Sequence, residues 1–269
     1  MSEAVARLDE ASDVHGASLA LADDLMSVAE AMDGQYLLRR TLTEPHATPD
    51  ELARLVNDLL GKSVSASAIA IMRVAVAQTW ASADELVGAV RDTAIRVGWR
   101  AAIDNRTVEM ARDQVLGLLM TTLGDAEFAT AVGDVSRDAA DRRALVRTVL
   151  TQAHHVAVLC ANCAIGDQRG NFVQNLDRCL DVLAALRDHV RARVTTAVAM
   201  TEQQTAAMNV QLSRIYSHPI DLETVVDSRV VGGVLVNVGG DVIDGSIRAR
   251  LDTARQALTN VPVVDEKDE

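Results

Sequence analysis

Between Val14 and Val190 apolar residues recur mainly at the three- and four-residue spacing of helices, and proline, which breaks such a pattern, is nearly absent. A chain written this way has to bury one stripe of each helix against another helix. Hydrophobic residues make up 49% of the 269 residues and aromatic ones only 2%, so these stripes are mostly Ala, Val and Leu. Ligand pockets walled by stacked rings are not expected from so few rings. The length admits one large domain or two small ones.

Local signals place individual helices. Thr48-Pro49-Asp50-Glu51 joins a capping hydroxyl, a proline suited to the first helical position and a glutamate able to close a capping box. The helix starting there offers Leu52, Leu55, Val56, Leu59 and Leu60 to a core and stops at Gly61. A second amphipathic stretch runs through Ile69, Met72 and Val76. Ser82-Ala83-Asp84-Glu85 is another capping-box pattern, opening a long stretch toward Arg100 with Leu86, Val90 and Val97 on its apolar side. The most apolar runs are interrupted, by Arg73 within Ala66 to Ala77 and by His154 and His155 before Ile165. They fall short of the roughly 18–20 clean residues of a membrane span. The N-terminus has no basic stretch followed by an apolar one, so no signal peptide is expected.

A shift of 90 residues lays Asp141–Leu150 over Glu51–Leu60, with Leu145, Val146 and Leu150 identical to Leu55, Val56 and Leu60. The same shift pairs Leu38 with Phe128, Leu42 with Val132 and Ile69 with Leu159, so apolar faces coincide across three helices without a gap. An internal duplication of about 90 residues, the size of a small helical bundle, is the expectation.

The period changes at Val194. Val194–Val198 reads as a short strand, and Thr201-Glu202-Gln203-Gln204 opens a helix through Met208, Leu212 and Ile215 that His218-Pro219 ends. Ile220, Leu222, Thr224 and Val226 alternate, Val234–Val238 forms a strand, Gly239-Gly240-Asp241 a turn, and residues 246–258 a last helix. The fold class expected is therefore mainly α, helical bundles in two related copies, followed by a small α/β module ordered strand, helix, strand, strand, helix.

Chemistry is harder to find. Cys160-Ala161-Asn162-Cys163, with His154 and His155 upstream, resembles a thiol redox pair or half a zinc site, and a CxxC-containing redox or metal-binding helical protein is the competing reading. A redox pair sits at a helix N-terminus after a strand, whereas this one lies within a helical segment; a zinc site needs four converging ligands, and no second CxxC occurs. Buried structural thiols are the simpler expectation, with Cys179 on the core stripe of Phe172, Leu176, Leu180, Leu183 and Val190. Gly61-Lys62-Ser63 follows a helix and has Val56 where a Walker loop needs glycine, and the paired glycines at 232–233 and 239–240 bracket a strand instead of joining strand to helix. No catalytic residue, metal ligand or cofactor site is assigned. Twenty-six basic against 38 acidic residues give a net charge of −12, which disfavours a nucleic-acid partner.

The stretch from Val225 to Leu251 carries a more specific message. Asp227, Gly232-Gly233, the strand Val234–Val238, Gly239, Asp241, then Val242-Ile243-Asp244-Gly245-Ser246 and the basic Arg248 closely resemble the signature of the F-type ATP synthase delta subunit, the oligomycin-sensitivity-conferring protein family. On that resemblance residues 91–193 are the delta-type helical bundle and 194–260 the stalk-binding α/β module, with 261–269 an acidic tail. Residues 1–90 are an extra bundle like that of long actinobacterial delta subunits, and the b-type membrane segment fused to some of these is expected to be absent. The resemblance implies a subunit without catalysis or cofactor, at the cytoplasmic face of the bacterial membrane and touching the membrane only through its complex. Its partners would be the N-terminal helices of alpha subunits, held by the bundle, and the b-type stalk subunits, held by the C-terminal module. Together these contacts would resist rotor torque. Asp227, Gly232, Gly233, Gly239, Asp241, Asp244, Gly245, Ser246 and Arg248 are then structural signature residues, with Ser246 or Asp244 capping the last helix.

Overall fold

The computed structural model describes residues 3–43, 47–227, 230, 232–239 and 241–245. The last helix expected at 246–258, with Ser246 and Arg248, and the acidic tail lie outside these residues. The chain divides into two compact units, Met1–Leu186 and Arg187–Glu269.

The first unit is all helix among its described residues: α1 (Glu3–Val14), α2 (Leu19–Gly34), α3 (Tyr36–Leu42), α4 (Pro49–Leu60), α5 (Ala66–Val76), α6 (Ala83–Asp104), α7 (Val108–Gly124), α8 (Ala126–Gly133), α9 (Ala139–Val149), α10 (His155–Gly166) and α11 (Phe172–Leu186). Side-chain caps start many of them. Ser18, Thr48, Ser65 and Ser82 accept from the backbone N–H three residues on, and Asp125 and Asp138 cap α8 and α9. The Thr48–Glu51 capping box is complete. At Ser82 only half of it forms, because the Glu85 carboxylate accepts from Ala81 N instead. Thr48→Ala removes the α4 cap and is expected to cost about 1 kcal/mol, measurable by urea denaturation, while Asp50→Ala, without a capping role, changes little.

The helix bounds recur. Adding 90 to the limits of α2, α3, α4 and α5 reproduces those of α7, α8, α9 and α10 within one residue; for α4 and α9 the starts are Pro49 and Ala139. The start of α6 maps onto that of α11 in the same way, and α1 maps onto residues 93–104, the second half of α6. Buried positions recur too: Leu25 with Val115, Val28 with Leu118, Ala29 with Leu119, Leu42 with Val132, Val56 with Val146 and Leu86 with Leu176. The expected division between residues 90 and 91 falls inside α6, which closes the first helix set and opens the second.

Two cores result. One gathers Leu8, Met32, Val56, Met72 and Leu86 from α1, α2, α4, α5 and the start of α6; the other gathers Leu25, Trp99, Leu118, Leu119 and Leu176 from α2, the rest of α6, α7 and α11. Because α6 serves both cores, Leu86, Val90 and Val97 are joined in burial by Val87, Ala94, Ile95, Trp99 and Ala101. It is a helix buried nearly all round rather than along one stripe. In α4 the buried row is Leu52, Val56 and Leu60, spaced by four; Leu59 lies at its flank, 49% exposed, outside the core where it was expected.

The second unit is a four-stranded mixed sheet with one helix against it: β1 (Val190–Thr196), α12 (Glu202–Tyr216), β2 (Ile220–Val226), β3 (Val234–Val238) and β4 (Asp241–Asp244), in the order β2-β1-β3-β4. β1 runs parallel to β2 and antiparallel to β3, and β3 and β4 form an antiparallel pair. The first strand begins four residues before the expected Val194. Val190, Ala192 and Val194 alternate with Arg191 and Arg193, whose charges hide the period of two until the pairing partners are in place. Ala192, Val194, Ile220, Val236 and Val238 face Leu212 and Met208 of α12. Ile215, expected on that face, is 66% exposed. β4 is a strand where a turn and a helix cap were expected, since its residues pair Asp241 with Val238 and Asp244 with Leu235.

Candidate functional site

The signature residues within the described part shape one corner of the second unit. At the end of β2, Asp227 N–H donates to Thr196 O (2.8 Å) and Asp227 O accepts from Val230 N (3.0 Å), tying β2 to the end of β1. Gly232 and Gly233 follow with φ of +67° and +78°, the left-handed region where a side chain is strained. They turn the chain into β3. Gly239, φ +55°, makes the β3–β4 turn, with Asp241 and Asp244 exposed at the ends of β4. Gly245 N–H donates to Val234 O (2.9 Å), and a Cβ there would lie 3.2 Å from that oxygen. Asp244 thus sits at a strand end.

Beside this corner runs an apolar groove of about 380 Å³ between the β1–α12 connection and α12, lined by Val198, Met200, Met208, Gly232, Gly233 and Val234. The two glycines form part of its wall. On the opposite face of the sheet Glu223, 5% exposed, accepts from Arg191 Nη2 (2.6 Å) and Arg193 Nη2 (3.1 Å). Nothing in the linear sequence flags this cluster, because a parallel pairing brings Glu223 level with Arg193, 30 positions earlier in the chain.

The first unit carries its own groove, about 760 Å³ between α1 and α5, lined among others by Arg7, Ala11, Val14, Val74 and Ala77. It also holds a charge network that sequence reasoning missed. Asp167, its side chain 1% exposed, accepts from Arg169 Nη2 (2.7 Å) and Arg178 Nη1 (3.1 Å) and lies 3.7 Å from Arg91 Nη1; Arg91 also pairs with Asp33. Burial pushes the Asp167 carboxyl up, but the hydrogen bonds and charge of Arg169, with Arg91 beside it, outweigh burial and hold it below the ordinary range.

Cys160 and Cys163 lie on α10 and Cys179 on α11, all buried. Hydrogen bonding between thiols, reinforced by burial, raises the pKa of Cys163 and of Cys179, the reverse of a reactive thiol. His154 caps α10, its Nδ1 accepting from Val156 N and its Nε2 bonded to Thr107, and burial and the neighbouring His155 keep its pKa low. His155 pairs with Asp23. Buried thiols with raised pKa do not favour the redox or metal reading; among the described residues no group of three His, Cys, Asp or Glu is placed to hold a metal. Cys163 and Cys179 are expected to react with a disulfide reagent on the order of 100-fold more slowly in buffer than in denaturant, as followed by absorbance of the released thiol.

No single helix among the described residues is long and apolar enough to cross a membrane. Residues 99–258 match the family model "ATP synthase delta (OSCP) subunit". The chain is 31% identical to the ATP synthase subunit delta of Cutibacterium acnes over 94% of its own length and 96% of the relative's, and 31% identical to that of Frankia alni over 96% of each. The subunit delta of Nocardia farcinica is 29% identical over 87% of this chain and 88% of the relative. With its Gly-Gly turn and β3–β4 hairpin inside the matched residues, the chain belongs to the ATP synthase delta (OSCP) subunit family.

Proposed function

We propose that this chain is a non-catalytic stator subunit, joining the catalytic alpha/beta head of an F-type ATP synthase to its b-type stalk and holding the head against rotor torque. The observation that carries the reading is similarity to delta subunits along nearly the whole chain, residues 1–90 included. In this reading residues 1–90 and 91–193 are two copies of one bundle, which the recurrence of helix bounds at 90 residues supports. The bundle part receives alpha-subunit N-terminal helices. Residues 194–260 receive the b-type subunits, with the groove along Val198, Met200 and Met208 as apolar surface for an amphipathic helix. The subunit sits at the cytoplasmic face and meets the membrane only through its complex. The signature glycines act through the backbone turns they permit, Ser246 and Arg248 being assigned a structural role by the same signature.

Two contacts on one complex add through effective concentration, so separating the units separates the partners. A fragment of residues 1–186 is expected to retain alpha in a pull-down and to lose b. Retention of b with loss of alpha would reverse the assignment. With a net charge of −12 the subunit should meet basic surfaces, and raising salt from about 0.1 to 1 M, which shortens the screening length from about 10 to 3 Å, should weaken assembly several-fold in sedimentation. Salt-independent assembly would remove the electrostatic part of the reading.

A further inference from the structure

Two adjacent acids on α2 hold the same end of two equivalent helices. Asp24 Oδ2 accepts from Ser65 N–H at the start of α5 (2.8 Å), and the Asp23 carboxylate meets His155 Nε2 at the start of α10, both its oxygens at 2.8 Å. These two helix starts correspond at the 90-residue shift within one residue. Their caps differ in kind. Ser65 Oγ accepts from Ala68 N–H (3.3 Å), and a hydroxyl does not titrate between acid and neutral pH. His154 Nδ1 accepts from Val156 N–H (3.2 Å), which only an unprotonated ring nitrogen can do; the proton of the neutral ring then sits on Nε2, bonded to Thr107 Oγ1 (2.9 Å). The backbone N–H of His154 donates to Gln114 Oε1 of α7 (2.6 Å).

Val156 is 0% exposed, and its N–H is among the first of α10, which have no partner inside the helix. Protonating Nδ1 sets one N–H against another, leaves that buried donor unpaired and adds a positive charge at the positive end of the helix dipole. His155 is the neighbouring charge acting on the ring, and Asp23 faces it from α2 with Asp24 beside it. The groups bonded to residue 154 from the α6–α7 connection and from α7, Thr107 and Gln114, are uncharged. Further charges on the elements packed against α10 are Asp104 and Arg106 around that connection, Arg112 and Asp113 on α7, Arg147 at the end of α9 and Asp181 on α11. Burial and His155 lower the His154 pKa, so the cap is complete above the unfolded value of about 6.5 and is lost as pH falls from there through the folded pKa.

We propose that His154 is an acid-sensitive latch between the two helix sets: as the neutral ring it caps α10 where α2 meets it, and protonation releases the first turn of α10 while α5, capped by Ser65, stays held. The start of α10 is then tied to α2 by the His155 and Asp23 side chains, without the backbone cap that fixes the direction of the helix.

The test is amide hydrogen exchange of the full chain, read by nuclear magnetic resonance at Val156 and, as internal control, at Ala68, between about pH 7.5 and 4.5. In the unaltered protein, protection at Val156 is expected to fall by about fivefold relative to Ala68 as pH drops, the worth of one cap. His154→Asn supplies a capping side chain that does not titrate, and Val156 should there keep its protection throughout. His154→Ala should show the low protection at both ends of the range. A constant ratio of Val156 to Ala68 protection in the unaltered protein overturns the latch. So does a His154→Asn variant that loses protection as the unaltered protein does, since the acid response then comes from carboxylates such as Asp23.

Discussion

Trp99→Ala is expected to destabilise the first unit by about 3–5 kcal/mol, the range for emptying a buried tryptophan site, and to lower its melting temperature by roughly 10 °C. Trp99 heads the fully buried side chains among the described residues by volume, and its indole N–H donates to Cys179 O on α11 (2.9 Å). It therefore fixes the α6–α11 contact by shape and by one buried hydrogen bond. Trp99→Phe keeps most of the volume and loses the donor, so a smaller loss, about 1–3 kcal/mol, is expected. The contrast with the first helix set sharpens the test. The position 90 residues earlier is Asp9, which faces Arg96 (3.5 Å) and whose carboxyl is raised by burial. Asp9→Ala should cost far less than Trp99→Ala. Circular dichroism melts of the three variants decide it: equal effects at 9 and 99 would mean that the second core does not depend on Trp99.

The second large effect is at Asp167. Asp167→Ala is expected to cost about 3–5 kcal/mol, because it leaves Arg91, 3% exposed and with its Nε unpartnered, as a buried cation with only Asp33 opposite. The same change releases Arg169, which grips both carboxylate oxygens, from the connection after α10, while the bond from Asn175 Nδ2 to the backbone oxygen of residue 167 (2.6 Å) remains. A pH dependence follows. The Asp167 carboxyl titrates below its ordinary value in the folded chain, so its contribution is complete above the unfolded value of about 3.9 and is lost as pH falls from there through the lower folded pKa. Urea midpoints measured between about pH 3 and 7 should fall at the acid end in the unaltered protein, and less steeply in Asp167→Asn, which is already uncharged. An unchanged slope would show that other carboxylates carry the acid response.

Much of the fold was legible in the sequence. The helical spacing, the Thr48–Glu51 and Thr201–Gln204 capping boxes and the strand Val234–Val238 all appear where the local pattern puts them, because caps and periodicity act over three or four residues. The 90-residue register was legible from the match of Leu55, Val56 and Leu60 with Leu145, Val146 and Leu150. Local pattern failed where a residue's surroundings come from far along the chain. Leu59 and Ile215 keep helical spacing yet face solvent, and Arg191 and Arg193 look like a helix surface yet flank Glu223 in a sheet.

The site divides the same way. The turns at Gly232-Gly233 and Gly239 were readable because left-handed φ is a demand on single residues, and glycine meets it wherever it stands, whereas β4, the second strand of the hairpin, was not. The sequence by itself determined that the chain is mainly helical with a small α/β module following the helices, and that it carries the delta-subunit signature. Only the tertiary structure decided that α6 serves two cores, that Arg91 joins Asp33 to Asp167, and that Asp23 on α2 meets His155 on α10. Those outcomes depend on which helices meet across 60 to 130 residues of chain, and an amphipathic stripe states that a helix must be covered without stating by what.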